Sequence, residues 1–338
     1  MNIIRTVIFM GGGVIRSQKP EAVMRDKILF KIHSQFCQTM DEVIDIGCGS
    51  GEWLNFLYNN GYQHLTGVDV IERNVDYLEN GIKRYCGSVY DTPRDIHKYK
   101  FDVVYSLAVL EHLLVPINAV KNMALYLREK GKMIVAVPDM EQISRSDTPC
   151  SHHFHQEHIN YFSVYSLDAL MRNAGMKRIY NMKMQFGTDA EDLLCAVYER
   201  DSRAHIMPVI RDEVTASSIR QYLGHAETIE NKTYEQVEDI IKQNKSVVIW
   251  GCGARAMSVL SSTRLSQADV IKCVDSSNVR IGKSIHINEN IYQIEPVQNC
   301  KTINKDIVIC ICVNVKIYQE EILQNIREMG LNNEIAIL

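Results

Sequence analysis

Three observations in this chain of 338 residues predict an α/β protein built from two successive doubly wound units. Short apolar runs of strand character alternate with segments of helical rhythm, the order that builds a parallel sheet covered on both faces. The run Ile44-Asp45-Ile46-Gly47-Cys48-Gly49-Ser50-Gly51 joins one such strand to a helix start carrying Trp53, Leu54, Phe56 and Leu57. The same strand–glycine loop–helix plan returns at Ser246-Val247-Val248-Ile249-Trp250-Gly251-Cys252-Gly253-Ala254-Arg255-Ala256.

Residues 1–40 open with the apolar stretch Ile3–Met10, then Gly11-Gly12-Gly13, then a helical segment around Glu21–Phe36. That helix either caps the cleft over the glycine loop or packs against the sheet. The expected order then runs strand Val43–Ile46, helix, strand Leu65–Val70, a helix around Asn74–Lys83, strand Val103–Ser106 and helix Pro116–Leu127. Lys130-Gly131 closes that helix, and Lys132–Val137 follows as a strand. Ser166–Met176 reads as a capped helix closed by Gly175, and Leu193–Tyr198 as a late strand. Pro208–Asn244 carries Ile219, Tyr222, Leu223, Ile229, Val237, Ile240 and Ile241 at helical spacing and is expected to be a helical link. After the second glycine loop, Ile271–Asp275 repeats an acid-tipped strand and Asp306–Cys312 supplies a later one. The expected division is 1–40, 41–205, 206–245 and 246–338.

Composition narrows the partners. The apolar fraction is 46% and the charged fraction 23%, with net charge −4 and no basic block, so DNA or RNA finds no electrostatic platform. A substrate with a single phosphate or pyrophosphate remains open, because a few local donors suffice. The N-terminal apolar run is too short for a secretory core, and no segment reaches bilayer-spanning length, so no membrane partner is expected. Ten cysteines, lying mostly in apolar runs without a C-x-x-C pair, read as reduced thiols of a cytoplasmic protein.

The first glycine loop carries the strongest chemical signal. Alternate glycines let the backbone turn tightly and approach a ligand, and the helix beyond presents unpaired N–H groups. Asp69 ends the next strand at a spacing that suits a carboxylate accepting from ribose hydroxyls. Together these point to an adenosine-containing cofactor. A dinucleotide dehydrogenase is the rival, but Glu52 stands where its third glycine would be.

These motifs resemble the class I S-adenosylmethionine-dependent methyltransferases. Asp45–Gly51 is similar to their first cofactor motif and Val68-Asp69 to their second. Tyr99–Leu113 is similar to their fourth strand and the helix after it. The resemblance implies a methyltransferase-type Rossmann-like sheet followed by a smaller Rossmann-like domain, with S-adenosyl-L-methionine as cofactor. From about residue 40 the chain is further similar to two-domain methyltransferases of nucleotide-linked deoxysugars. That likeness rests on Gly251–Ala256, Val274–Lys283 and, loosely, Ile294-Glu295-Pro296. Many relatives begin with a cysteine-rich zinc module, which is not seen here.

The resemblance implies cofactor contacts from Asp45, Gly47, Gly49, Gly51, Asp69 and Val70, with Leu107 as an apolar wall under the sulfonium. Ser88 follows the third strand where the family often has an acid for the adenine amine, so Ser88 or a backbone carbonyl must stand in. In the second domain Gly251, Gly253 and Arg255 are candidates for an acceptor's nucleotide or phosphate, with glycine packing as the alternative.

Four histidines and a glutamate crowd His152-His153-Phe154-His155-Gln156-Glu157-His158, placed by the preceding strand at the open edge of the sheet. Four readings compete. A metal site has suitable ligand types, but Phe154 stands where H-x-x-E-H needs histidine, so no metal is expected. A general base is the expected role, since the acceptor must lose a proton near neutral pH: His158 or His155 takes it, with Glu157 orienting or sharing that task and His112 as the next candidate. Phosphate binding by His152, His153 and Arg145 is the third reading, and a solvated polar loop the fourth. On the resemblance to a Y/F-x-x-E-H-x-x-Y-F-S motif, Glu157 and His158 fall on the family's acid and histidine, and His112 on its other catalytic histidine. His155 replaces the tyrosine of the sugar C-methyltransferases, which turns the expectation to oxygen.

The expected reaction is methyl transfer to a hydroxyl of a sugar, nucleotide-linked or polysaccharide-bound, as in capsule or polysaccharide biosynthesis. The alternatives are C-methylation of a keto-sugar nucleotide, O-methylation of a small phosphorylated metabolite, and a non-catalytic cofactor-binding partner protein. A monomer or a dimer fits equally.

Overall fold

A computed structural model describes residues 20–72, 77–91, 96, 100–154, 157–201 and 211–338. The N-terminal apolar run, the triple glycine and His155 lie outside these residues. Helix α1 (Pro20–Phe36) leads into strand β1 (Val43–Ile46), helix α2 (Glu52–Asn59) and strand β2 (Leu65–Asp69). Strands β3 (Lys83–Cys86) and β4 (Phe101–Leu107), helix α3 (Pro116–Tyr126) and strand β5 (Leu127–Pro138) follow. Helix α4 (Val164–Asn173) and strands β6 (Met176–Met184) and β7 (Leu193–Arg200) complete a seven-stranded sheet ordered β3-β2-β1-β4-β5-β7-β6. Its first five strands run parallel, and β7 inserts antiparallel between β5 and β6.

Each face of this sheet has its own core. Helices α3 and α4 cover one, with Val120, Met123, Leu167 and Met171 packed on Val104 and Val135. The other is covered by α1 and α2, where Leu29, Ile32, Trp53 and Leu54 pack on Val43 and Tyr105. Helix α1 therefore packs against the sheet. Its His33 is fully buried with Nδ1 2.6 Å from the Tyr105 hydroxyl, and burial pushes that imidazole down to about 4.

Two expectations are corrected, and one strand is added. The segment around Asn74–Lys83 is not a helix in its described part: Glu79–Gly81 forms one 3₁₀ turn, Asn80 has φ 61°, and Lys83 begins β3. Helix α3 ends at Tyr126, before Lys130-Gly131, and residues 128–131 bulge out of β5, where its register on β4 shifts. Strand β6 was not foreseen. Its polar residues Lys177, Asn181 and Lys183 interrupt the apolar pattern because it is an edge strand.

Helix α5 (Glu213–Lys242) is a single helix of 30 residues capped by Asp212, whose side chain accepts from Thr215 N. Beyond it lie strand β8 (Ser246–Trp250), helix α6 (Ala254–Ser262), strands β9 (Asp269–Asp275), β10 (Ser284–Ile287), β11 (Asn290–Pro296) and β12 (Val308–Ile311), helix α7 (Lys316–Glu328) and strand β13 (Ile335–Ile337). They form a second sheet ordered β10-β11-β9-β8-β12-β13, parallel except for the hairpin strand β10.

Helix α5 is more than a link. Tyr222 is buried on Met140 and Ile143 of the first unit, and its hydroxyl donates to the Pro149 carbonyl at 2.8 Å. Ser218 accepts from Ser144 N and donates to Glu141 O. The histidine loop is thus held from behind by α5. No helix among the described residues is long and apolar enough to cross a membrane, and all ten cysteines are free thiols.

Candidate active site

The first glycine loop leaves β1 with Gly47 at φ 90°, Gly49 at 54° and Gly51 at 85°, a region that L side chains rarely adopt. A Cβ at Gly47 would collide with Val109 and one at Gly51 with Leu78, whereas one at Gly49 would meet nothing within 4 Å among the described residues. The first and last glycines let neighbouring chain close in, and the middle one leaves open space beside the loop. Asp69, buried at the end of β2, clasps the loop: Oδ2 accepts from Gly49 N at 2.7 Å and Oδ1 from Ile71 N at 2.9 Å. The buried Arg84 guanidinium lies 3.7 Å from Oδ1.

Asp45 stands under the same loop, buried, with Oδ1 lacking a hydrogen-bond partner among the described residues. Burial first, then the charge of Asp69, pushes its carboxyl up to about 7 against the pull of Arg25. A buried carboxylate oxygen without a donor is costly, and a cationic ammonium group lying along the loop would satisfy it. The open space at Gly49 and the orphaned oxygen of Asp45 therefore fit an amino-acid-bearing cofactor. Val70 is exposed beyond Asp69. Ser88 lies one strand over, where Gly87 N donates to Asp69 O and Tyr90 N donates to Ser88 Oγ. Leu107 ends β4, and Ala108 after it has φ 55°, an uncommon value for alanine. That backbone turn aims Val109 at Gly47 and sends the chain into the 3₁₀ turn Leu110–His112.

Here the two histidine-bearing segments meet. Ile159 N and Asn160 N both donate to Glu111 O, and the Asn160 side-chain amide donates to the carbonyls of Leu110 and Leu113. The rings of His112 and His158 are 4.9 Å apart and edge to face. His112 Nδ1 is 2.7 Å from the Glu157 carbonyl. A carbonyl only accepts, so Nδ1 carries the hydrogen, and Nε2 of the neutral ring holds the lone pair. Glu157 thus orients His112 through its backbone. The carboxylate beside His158 is Glu191, whose Oε1 lies 3.6 Å from His158 Nδ1 and equally far from His153 Nδ1. His153 is buried, with Nε2 2.8 Å from Ser146 Oγ and its ring edge-on to His152 and Tyr222. Arg145, a candidate phosphate ligand, pairs with Asp192 at 2.7 Å.

Glu111 and Glu191 are the site residues that the sequence did not single out. Glu111 is 1% exposed with Oε2 unpartnered among the described residues, and burial pushes its carboxyl up to about 8. Its place directly before His112 was the available signal. Glu191 carried none. It reaches the cluster because β7 returns antiparallel to β5 and pairs Leu193 with Pro138. One ligand atom each from Glu111, His112 and His158 lies within 4.8 Å of the others, a grouping that can take a metal ion only by contracting.

The second glycine loop repeats the first clasp. Asp275 Oδ2 accepts from Cys252 N and Oδ1 from Ser277 N, each at 2.8 Å. A Cβ at Gly251, with φ 92°, would collide with Val313, so this glycine is needed for packing. Arg255 is not turned to the loop mouth: its buried guanidinium binds Glu230 at 2.8 Å and Thr233 at 2.9 Å on α5. The half-exposed cation over Gly253 is Arg280, 3.4 Å from Asp275.

Residues 17–180 match the model of a family described as a methyltransferase domain. A ubiquinone biosynthesis O-methyltransferase of Coxiella burnetii (strain RSA 493 / Nine Mile phase I) is 28% identical over 122 residues, 34% of this chain and 51% of that protein. A tRNA U34 carboxymethyltransferase of Helicobacter pylori (strain ATCC 700392 / 26695) is 29% identical over 101 residues, 28% of this chain and 39% of that protein. The chain thus spans about half the length, or less, of these curated relatives. Among solved structures, the N-methyltransferase NodS of Bradyrhizobium japonicum WM9 with S-adenosylhomocysteine gives a TM-score of 0.43 at 16% identity, over 56% of this chain and 91% of that one. Residues 17–180 thus have the sequence pattern of a methyltransferase domain on a class I, Rossmann-like fold, which supports S-adenosylmethionine as the cofactor.

Proposed function

We propose that this protein transfers the methyl group of S-adenosylmethionine to a hydroxyl oxygen of a sugar, nucleotide-linked or borne on a polysaccharide, with histidine as general base. The observation that carries the reading is the meeting of His112 with His158, 4.9 Å apart, beside the turn that brings Val109 onto Gly47. When bound, the cofactor supplies an electrophilic methyl group together with its own leaving group. The chain must then hold cofactor and acceptor in line and accept one proton.

In this reading Asp45 takes the cofactor's ammonium group, Gly47, Gly49 and Gly51 line its methionine part, and Asp69 takes the ribose hydroxyls. Val70, Ser88 and Leu107 border the adenosine and the sulfonium. Nε2 of His112 faces the acceptor hydroxyl while the Glu157 carbonyl keeps the hydrogen on Nδ1. His158 or His155 shares the proton, and His152 and His153 back the loop. Residues 41–205 form the cofactor unit and 246–338 an acceptor unit, where Gly253 and Arg280 replace Arg255 as the phosphate contact.

The sugar class rests on the resemblance of Gly251–Ala256 and Val274–Lys283 to the deoxysugar enzymes. The Coxiella relative, named for an O-methyl transfer, supports oxygen. Labelled methyl transfer into nucleotide-sugars, sugar phosphates and oligosaccharides tests this directly. Label on a sugar oxygen is expected. Carbon-bound label, or ring-proton exchange of a keto-sugar in D₂O, would replace oxygen by carbon chemistry. Label only in small phosphorylated metabolites would move the acceptor class. Cofactor binding without transfer to any of them would leave a binding protein.

A further inference from the structure

We infer that Glu191 is a positioning residue: set between His153 and His158, its carboxylate fixes which nitrogen of His158 carries the hydrogen and makes His158 a second base beside His112. The inference rests on the proposed methyl transfer in naming the proton's source, but its geometry stands apart from any acceptor.

Glu191 Oε1 is buried and lies 3.6 Å from Nδ1 of both histidines. The two rings differ in their partners. His153 is 3% exposed and anchored, with Nε2 2.8 Å from Ser146 Oγ, which in turn lies 2.8 Å from Thr148 Oγ1. Tyr222 of α5 stands edge-on to the His153 ring at 5.2 Å. His158, its side chain 9% exposed, stands edge to face against His112. The carboxylate therefore stands between an anchored imidazole at one side and the imidazole that meets His112 at the other. Both separations are slightly beyond hydrogen-bond length, and a small rotation of the carboxylate closes either; such contacts tighten when substrate binds.

An ionised carboxylate accepts and does not donate, so the ring nitrogen facing it carries the hydrogen. Nδ1–H of His158 toward Glu191 leaves the lone pair on Nε2, the same polarity that the Glu157 carbonyl imposes on His112. Both imidazoles then carry their lone pair on Nε2, one set by a carbonyl and one by a carboxylate. The titratable groups facing Glu191 are His152, His153 and His158 from the loop after β5 and Glu111 from the turn after β4; neighbouring Asp192 is occupied by Arg145. Burial pushes the Glu191 carboxyl up, and His153, His158 and His152 together pull it further down, below the ordinary glutamate value. Glu191 is thus charged at neutral pH and favours the protonated form of its neighbour.

The test is Glu191→Gln, which keeps size and removes charge. Nitrogen NMR of the histidine rings should show His158 as the Nδ1–H tautomer in the parent protein. In the variant its titration midpoint should fall by about one unit and the tautomer preference should relax. In turnover, kcat should fall about tenfold with acceptor KM within twofold. The ascending limb of kcat against pH should move to lower pH, because a base without its carboxylate gives up its proton earlier. Glu191→Asp should recover part of both effects, and it replaces the glutamine variant in every measurement if that one fails to fold. An unchanged His158 tautomer and midpoint in a folded variant would overturn the inference, whatever the activity. A parent protein that transfers no methyl group would instead remove the proposed reaction and leave the tautomer result to stand.

Discussion

His112 and Glu157, 45 residues apart in sequence, are joined by one hydrogen bond in which the ring Nδ1–H donates to the backbone carbonyl at 2.7 Å. A main-chain acceptor cannot titrate, so the polarity of this histidine is the same at every pH where it is neutral. Its Nε2 is left 4.0 Å from a buried Glu111 oxygen, and the side chain is 38% exposed, open to an incoming hydroxyl.

His112→Ala should therefore lower kcat by about 10²–10⁴ with little change in the affinity for S-adenosylhomocysteine. Single-turnover methyl transfer with parallel calorimetry measures both. Chelator treatment should leave turnover unchanged. Loss that zinc or manganese restores would make Glu111, His112 and His158 ligands instead of bases.

Asp69→Ala should weaken cofactor binding by about 10- to 100-fold, the scale of a hydrogen bond to a charged group, even before any ribose contact is counted. Removing the carboxylate frees Gly49 N and Ile71 N and leaves Arg84 beside an empty place. Calorimetry with S-adenosylhomocysteine reads the loss; Asp275→Ala, which removes the matching clasp on Cys252 N, should leave that affinity unchanged.

What the sequence revealed here was local. A glycine loop and an acid at the end of the next strand lie within one supersecondary piece, so Gly47, Gly49, Gly51 and Asp69 could be placed together from spacing, and Asp45 with them from the family resemblance. Glu191 could not, since its approach to His158 depends on an antiparallel strand inserted between β5 and β6. Arg255 differs for a related reason: loop sequence suggests where a cation starts, but its direction is set by Glu230 and Thr233 on a separate helix. The β10–β11 hairpin was missed because only Asn288-Glu289 joins two strands of mixed polarity at the sheet edge, with Asn288 at φ 54° making the turn.

The loop glycines should separate stability from binding. Gly51→Ala puts a Cβ into Leu78 at φ 85° and should cost about 1–3 kcal/mol of stability. Gly49→Ala meets open space, so its cost is limited to the backbone, about 1–2 kcal/mol. Its methyl group enters the cleft, and cofactor affinity should fall the more. Urea titration beside ligand binding distinguishes the two.

Glu111 should leave a signature in pH. Its carboxyl stands at about 8 in the folded protein against an ordinary value of 4.5, because burial disfavours the charged form. The folded state then binds the extra proton between these values, so the contribution to stability is fully present below 4.5 and is lost as pH rises toward 8. Glu111→Gln, which cannot ionise, should flatten this part of the profile. Melting temperatures at pH 5 and pH 8 should differ less in the variant than in the parent, by about 2–4 °C for each kcal/mol removed.

Arg255→Met tests whether that guanidinium is a clamp or a ligand. It is 2% exposed, donates twice to Glu230 and once to Thr233, and so ties α6 to the helix that also buttresses the histidine loop. Removing it leaves the Glu230 carboxylate, 33% exposed, partly rescued by water, which places the cost near the lower end for a broken buried pair, about 2–3 kcal/mol. Urea unfolding should show that loss, with S-adenosylhomocysteine affinity unchanged and acceptor KM within a few-fold of the parent. Arg280→Ala should behave in the opposite way, because its half-exposed guanidinium lies over Gly253 and carries little packing. Stability should hold within about 0.5 kcal/mol, the usual range for an exposed residue, while KM for a phosphorylated acceptor rises. If instead Arg255→Met folded normally and raised KM alone, the second glycine loop would read its anion with the residue that the sequence first suggested.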